Sequence, residues 1–508
     1  MSLLRGVTIL PTHWRCQAAL VALVVATGAA FAADATAPAA SSAPPAVPEA
    51  VPPGDAREQA HSEFRRLFDA GQFADAAEQA RTVVELTDRL GAGHGDELQV
   101  ALMNLALAQQ RGGDYVAAEA GYQRVINLIE ATGRMTNPRL ARAYAGLGST
   151  YHAARRYDLA AASLDRAIAL NRRAEGLFNE EQLPLLDKQA AALTEVGRVE
   201  EALLAHRYAL RVVARHQGER SLPFARQLES LGRWYTQVRS FEASRATLRQ
   251  SAELVQALAG PDSVELVGPL SGMADNARRW LTDPLIREQG SADEQRSSMF
   301  HDPVLPMPPS LSPSTIATEG LKALERATAI VDANPDSSPA LVAGVHSQLG
   351  DWHTARQLPD RARPSYQRAW AAAGSAPDGG KLQQALFGAP ALIRYTPPDN
   401  WDRYARRPPE EVERLDVEME MTVTAVGSVR DPRVIAGGGD SRLASQALRA
   451  ASGALYRPRL VDGQPVDTPG VRFVQPFYVL RDAAAPTPPA DSAAPPQQPP
   501  QTPAQGGG

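Results

Sequence analysis

Cysteine is nearly absent. The chain of 508 residues has a single thiol, Cys16, and it falls inside an amino-terminal segment expected to be removed on export. A mature chain without thiols excludes disulfides, cysteine nucleophiles and cysteine-based metal sites together. A basic excess is missing too. Fifty-two Lys and Arg stand against 57 Asp and Glu, a net charge of −5, which is not the footprint of a nucleic-acid-binding protein. Aromatics make up only 6% of the residues, which suits helices packed through small side chains. The one apolar run, Ala18 to Ala32, is short and rich in alanine, whereas a membrane span needs about 20 strongly apolar residues. No nucleophile elbow, zinc helix or dinucleotide fingerprint occurs. Gly379-Gly380-Lys381-Leu382 fails as a phosphate loop, with Ser375 where the first glycine belongs and Leu382 where a Mg²⁺-binding hydroxyl belongs.

The ends of the chain have their own composition. Arg5, His13 and Arg15 precede the apolar run, which closes on Ala30-Phe31-Ala32. This is the layout of a cleavable secretory signal over residues 1–32. Thr12 to Arg15 does not resemble a lipoprotein acylation box. Export without cysteines leads us to expect a bacterial periplasm. Residues 33–54 and 483–508 are rich in Pro and Ala, and too poor in apolar side chains to offset chain entropy. Both are expected to be extended tethers.

What the sequence does have is a period. Phe73, Tyr115, Tyr157, Val199 and Phe241 stand forty-two residues apart, each followed three positions later by Ala76, Ala118, Ala160, Ala202 or Ser244. Two positions before them lie Gly71, Gly113, Arg155, Gly197 and Arg239. A constant period in this range marks a stacked-repeat solenoid, an architecture built for binding surfaces. Each unit reads as a helical hairpin. In the third, Tyr144, Leu147, Gly148 and Tyr151 share one helix face, Arg155-Arg156-Tyr157 turns, and Ala160, Leu164 and Ala167 face back. The small residue at one register position (Ala106, Gly148, Ala190, Gly232) admits the partner helix closely.

These residues resemble the tetratricopeptide repeat in a long, 42-residue form. The resemblance covers residues 55–283 as five repeats, with Phe64 departing at the small-residue position of the first. A closing helix is expected at about 264–280, because Asp283-Pro284 stops the pattern. A proline-rich linker, 284–313, then leads to further repeat-like helices over 314–374, where Ala362, Tyr366 and Ala369 repeat the second-helix spacing. Residues 375–411 read as a second linker.

Beyond it the period changes to alternation. Val417, Met419, Met421 and Val423 fall on one face of a half-buried strand. A glycine loop, a short amphipathic helix with Leu443, Ala447, Leu448 and Ala451, and strand-like runs 455–461 and 471–480 follow. That order implies a small antiparallel sheet carrying one helix. The stretch 412–482 is similar to the carboxy-terminal domain of TonB-type energy transducers. The similarity rests on Tyr456-Arg457-Pro458, Asp462-Gly463-Gln464-Pro465-Val466 and Gln475-Pro476-Phe477. It implies a sheet edge that receives a strand from a partner protein. Ala425-Val426-Gly427 departs from the family's acidic turn, and the apolar run lacks the Ser and His pair of a proton-coupled anchor.

The expected fold is thus multidomain, an all-α tetratricopeptide-like solenoid followed by a small α+β module. The expected function is a non-enzymatic scaffold or adaptor of the cell envelope, without cofactor or metal, whose partners are envelope proteins or peptides. The alternatives are a membrane-anchored TonB-like transducer with an uncleaved signal and, more remotely, an envelope hydrolase. Candidate binding residues are polar positions on first helices, Asn104 and Gln109. His346 and His353 lie seven apart on one helix face, short of a ligand set and expected at ordinary repeat positions. Glu410-Glu411 and Glu418/Glu420 are expected to form a solvated face.

Overall fold

The computed structural model describes residues 55–133, 137–283, 312–399, 401–405, 407–408 and 410–481. The expected signal, both tethers and nearly all of the 284–313 linker lie outside them.

Helical hairpins follow one another: α1 (Asp55–Asp69) with α2 (Phe73–Asp88), α3 (Gly95–Arg111) with α4 (Tyr115–Ala131), α5 (Pro138–Ala153) with α6 (Tyr157–Glu175), α7 (Leu183–Glu195) with α8 (Val199–Gln217), and α9 (Leu222–Gln237) with α10 (Phe241–Ala259). The register fixes the turn inside each. Gly71, Gly113, Arg155, Gly197 and Arg239 all take positive φ, from +59° to +86°. The next amide reaches back five residues: Gln72 N–H to the Leu67 carbonyl, Asp114 to Gln109, Arg156 to Tyr151, Arg198 to Leu193 and Ser240 to Tyr235, at 2.8–2.9 Å. This is a Schellman stop, in which a left-handed residue lets two orphan carbonyls of the helix end find donors. The small-residue stripe is buried throughout, with Ala76, Ala118, Ala160, Ala202 and Ser244 all 0% exposed. The aromatic stripe is less uniform: Phe73, Tyr115 and Tyr157 are only half-buried, whereas Val199 and Phe241 are buried. Phe64, the departure in the first repeat, is wholly buried against Phe68.

The array does not close where the sequence suggested. Helix α11 (Val267–Thr282) is no cap, since it packs along its length on α12 (Pro313–Ala333). A Cβ on Gly320 of α12 would lie 2.6 Å from both Ala277 and the Trp352 ring. One apolar core accordingly runs from Val255 and Leu266 through Leu324 to Tyr366 and Phe387. A further hairpin, α13 (Pro339–Ala355) with α14 (Pro359–Gly374), repeats the same stop: Gln357 has φ +58°, and Leu358 N–H bonds the His353 carbonyl at 2.9 Å. Gly350 sits against Tyr366 as Gly148 sits against Leu164 and Gly232 against Leu248.

The presumed linker 375–411 holds structure as well. Helix α15 (Gly379–Phe387) buries Leu386 and Phe387, and strand β1 (Ala391–Arg394) follows. The remaining strands are β2 (Val412–Val423), β3 (Val429–Ala436), β4 (Leu455–Arg457), β5 (Arg459–Val461), β6 (Gln464–Val466) and β7 (Thr468–Leu480), with α16 (Ser441–Ser452) after β3. The main sheet is antiparallel in the order β3-β2-β7. The run 455–461, read as one strand, is split by Pro458: β4 pairs with β1, and β5 pairs with β6. Proline cannot donate to a ladder, so the strand breaks there. Asp462 and Gly463 both have positive φ, joining β5 to β6 as a tight hairpin turn. Val417, Met419, Met421 and Val423 face inward as the alternation required, each at most 2% exposed.

Candidate interaction surfaces

The first surface is the stack of first helices. The residue after each small position is Leu107, Ser149, Ala191, Arg233, Asp275 and, in the last hairpin, Asp351. These positions differ in what holds them. Arg233 pairs with Glu229 at 2.8 Å and donates to the Gly268 carbonyl at 2.9 Å. Asp275 lies between Arg278 (2.6 Å) and Arg279 (2.8 Å). Burial pushes the Asp275 carboxyl up, but Arg279, Arg278 and Arg233 outweigh it and hold the pKa at about 2. Lys188 Nζ donates to Ser149 Oγ at 2.9 Å, and burial together with the charge of Arg111 pulls its pKa down. Burial likewise depresses His152, against an opposing pull from Glu195 and with a lesser push from Lys188 in the same direction. Three successive first helices therefore aim Arg111, His152 and Lys188 into one region. Beside it, Asp187 touches solvent but is crowded by protein, and desolvation raises its carboxyl to about 6 against a smaller opposing pull from the Gln227 side chain.

Asn104 and Gln109 do not belong to this surface. They are 4% and 9% exposed, because α3 is wedged between its neighbours and buries nearly every side chain from Gln99 to Gln109. The groups that do face outward, Arg111, Asp187 and Lys188, could have been found by asking which first-helix positions change chemistry from repeat to repeat.

His346 binds Asp332 at 3.0 Å and is buried, and His353 is 9% exposed. Asp351 turns to neither. Among the described residues no group of acidic, His or Cys side chains could hold a metal ion, and no helix is long and apolar enough to cross a membrane. Glu411 pairs with Arg407 at 3.1 Å and Glu420 with Arg433, leaving Glu418 exposed.

Asp351 is where the repeats meet the sheet module. Arg457, in the middle of the Tyr456-Arg457-Pro458 step, grips it with both arms of its guanidinium, at 2.8 and 2.6 Å. Arg457 also donates to the Leu386 carbonyl at 3.1 Å and lies over the Phe387 ring. The Tyr366 hydroxyl adds a bond to Asp351 at 3.0 Å and another contact with Thr354 at 2.9 Å. Arg457 is 5% exposed. A paired, bidentate guanidinium of this kind is a strong and directional clasp. Within the sheet module, the Gly427 carbonyl receives the Tyr456 amide at 2.8 Å and holds β4 in place behind the clasp.

The second surface is the rim of the β3-β2-β7 sheet. At the β3 edge, Asp431 sits in the left-handed region (φ +52°), Pro432 lacks a donor, and Arg430 and Arg433 are salt-bridged. Bulge, proline and charge are the devices that keep an edge from pairing. The β7 edge differs. Its Tyr478 N–H points away from β2, since it bonds the Trp401 carbonyl at 3.0 Å. With a strand period of two, Pro476, Val474 and Arg472 turn their backbones the same way. Among the described residues no strand pairs with that side, so Gly470 to Val474 present an open rim of roughly 17 Å at about 3.3 Å per residue.

The family profile for the tetratricopeptide repeat matches residues 96–173. That for the Gram-negative bacterial TonB protein C-terminal matches residues 415–474. No curated protein matches the chain. Among solved structures the chain is similar to the nearly identical repeats of a putative kinesin light chain from Podosopora anserina, at 20% identity over 39% of this chain and 94% of that one (TM-score 0.36). It is also similar to BtubC from P. vanneervenii, at 18% identity over 49% and 97% (TM-score 0.33), and to the apo quorum sensor NprR from B. thuringiensis, at 11% over 63% and 89% (TM-score 0.32). The chain is a tetratricopeptide-like hairpin array followed by a small β-rich domain of TonB C-terminal type.

Proposed function

We propose that the protein is a non-enzymatic scaffold of the Gram-negative envelope. It works in the periplasm, binding envelope proteins or peptides on the first-helix face of its repeats and by strand addition to β7. The open rim from Gly470 to Val474 carries this reading. Its outward backbone groups are those a partner strand would satisfy, and main-chain bonds are what give strand addition its affinity. On the repeats, the charges of Arg111 and Lys188, with neutral His152 beside them as a hydrogen-bonding group, favour an anionic stretch of a bound peptide over a neutral one.

The test is capture from envelope extract with the full chain and with Val474→Pro. A proline there deletes an outward donor while sparing the ladder to β2. Partners held by the edge are lost from the variant, and partners held by the repeats remain. An unchanged set of captured proteins removes strand addition from the proposal. Amino-terminal sequencing of the exported protein tests the compartment: a start at Ala33 supports a periplasmic scaffold, whereas retention of Met1 favours a membrane-anchored transducer.

A further inference from the structure

The segment that carries Tyr395 and Trp401 touches the sheet module at two separate strands. At β4 it supplies β1, pairing Ala391 with Arg457 and Leu392 with Tyr456. It then sends Tyr395 under β7, where the hydroxyl donates to Gln475 Oε1 at 2.5 Å and the ring lies 4.7 Å from Phe473. Buried Pro397 and Pro398 follow, and Trp401, 5% exposed, offers its carbonyl to the outward amide of Tyr478. The two rings sit 6.3 Å apart. Arg278 and Arg394 tie the same segment to the repeats, by bonds to the Ile393 carbonyl (3.2 Å) and the Ala355 carbonyl (3.1 Å).

We infer that this segment is a built-in strap that withholds part of the β7 edge from partners. The inference rests on the strand-addition reading. The rim is open at Arg472 and Val474, interrupted at Pro476, which has no donor, and closed at Tyr478 by Trp401. A strand arriving from outside finds only the short amino-terminal part of the edge, and must displace Trp401 to extend further. The strap is anchored on α11 and α13. Movement at the end of the repeats therefore bears directly on how much of the edge is offered, and a partner of the repeats can change the affinity of the sheet for a second partner.

Residue-resolved amide exchange of the full chain tests this. In the wild type, Arg472 and Val474 amides exchange fast and Tyr478 slowly. In Trp401→Ala, Tyr478 accelerates at least about 10-fold, while Phe473 and Phe477 keep their protection. Adding a synthetic peptide with the sequence of residues 395–405 slows Tyr478 again. If Trp401→Ala lowers protection at Phe473 and Phe477 as well, Tyr478→Ala, which removes the ring contact and keeps the amide, is read at position 478 instead. A Tyr478 amide that stays slow in the variant with the module intact overturns the strap. Slow exchange of Arg472 and Val474 in the wild type overturns the open edge itself, a different failure.

Discussion

Cutting Asp351 back to alanine should loosen a strand that belongs to another module, 106 residues away. In the intact protein the Asp351 carboxylate accepts two bonds from Arg457 and one from Tyr366. The substitution leaves a guanidinium that is 5% exposed with only the Leu386 carbonyl and the face of Phe387 for company. Stranding one partner of a buried pair costs about 3–5 kcal/mol. The Tyr366 hydroxyl keeps Thr354, which places the expected loss toward the lower figure. At about 3 kcal/mol, the amides of β4 and β1 should exchange about 100-fold faster, since every 1.4 kcal/mol is tenfold in population. Amides of α5 and α6, far along the array, should not change. The double substitution Asp351→Leu with Arg457→Met, which removes both charges and fills the space with apolar side chains, should recover most of the loss, because the cost lies in the unpaired charge. An acceleration below about 5-fold at β4 in the single variant, or no recovery in the double, would show that the guanidinium finds water or another acceptor, and the argument from burial would be wrong.

Four further outcomes are expected. Gly350→Ala places a Cβ 2.3 Å from the Tyr366 ring, an overpacking that lowers thermal stability by about 1–3 kcal/mol. Gln357→Gly relieves a left-handed residue at φ +58° and raises the melting temperature by an amount equivalent to about 1 kcal/mol; a lowered melting temperature would mean that the side chain contributes more than its strain. Asp187 has a folded pKa near 6, raised above its ordinary value, so its stabilising contribution is complete below the ordinary carboxylate range and is lost as pH rises through about 6. Asp187→Asn should therefore melt higher than the wild type at pH 7.5 and match it at pH 4, in parallel scanning calorimetry. Asp275 runs the other way, with its pKa held at about 2, so Asp275→Asn should lower the melting temperature at pH 7 and do so less as pH falls from 4 toward 2.

The hairpins were legible because two kinds of information repeat together. A left-handed turn residue and a buried small residue recur at a fixed distance, and both are local demands of the backbone that no distant contact overrides. The inward face of β2 was legible for the same reason. Illegible parts depended on what lies across a gap. Asn104 and Gln109 look like surface because they are polar, yet α3 buries nearly every side chain from Gln99 to Gln109 against its neighbours, and nothing within α3 records that. Asp283-Pro284 reads as an end because it ends a helix, while the stack resumes thirty residues later with α12. The mainly apolar and aromatic run Leu392, Ile393, Arg394 and Tyr395, between Pro390 and Pro397, was a strand signal, too short to stand without its partner β4. Arg457 occupies the variable middle of a motif, and its role appears only once Asp351, on the last hairpin, is set beside it.

The clasp between Asp351 and Arg457 also changes what counts as a transferable part. The stretch that resembles its relatives, 415–474, is not the stretch that could be moved to another protein and keep its shape. β4 leans on β1, and its arginine is neutralised by a helix of the repeats, so recombination that carried the sheet without α13 to α15 would strand a buried charge and bare an edge. A substitution at Asp351, in the repeats, will show its effect in the sheet, and one at Arg457, in the sheet, will show its effect in the repeats.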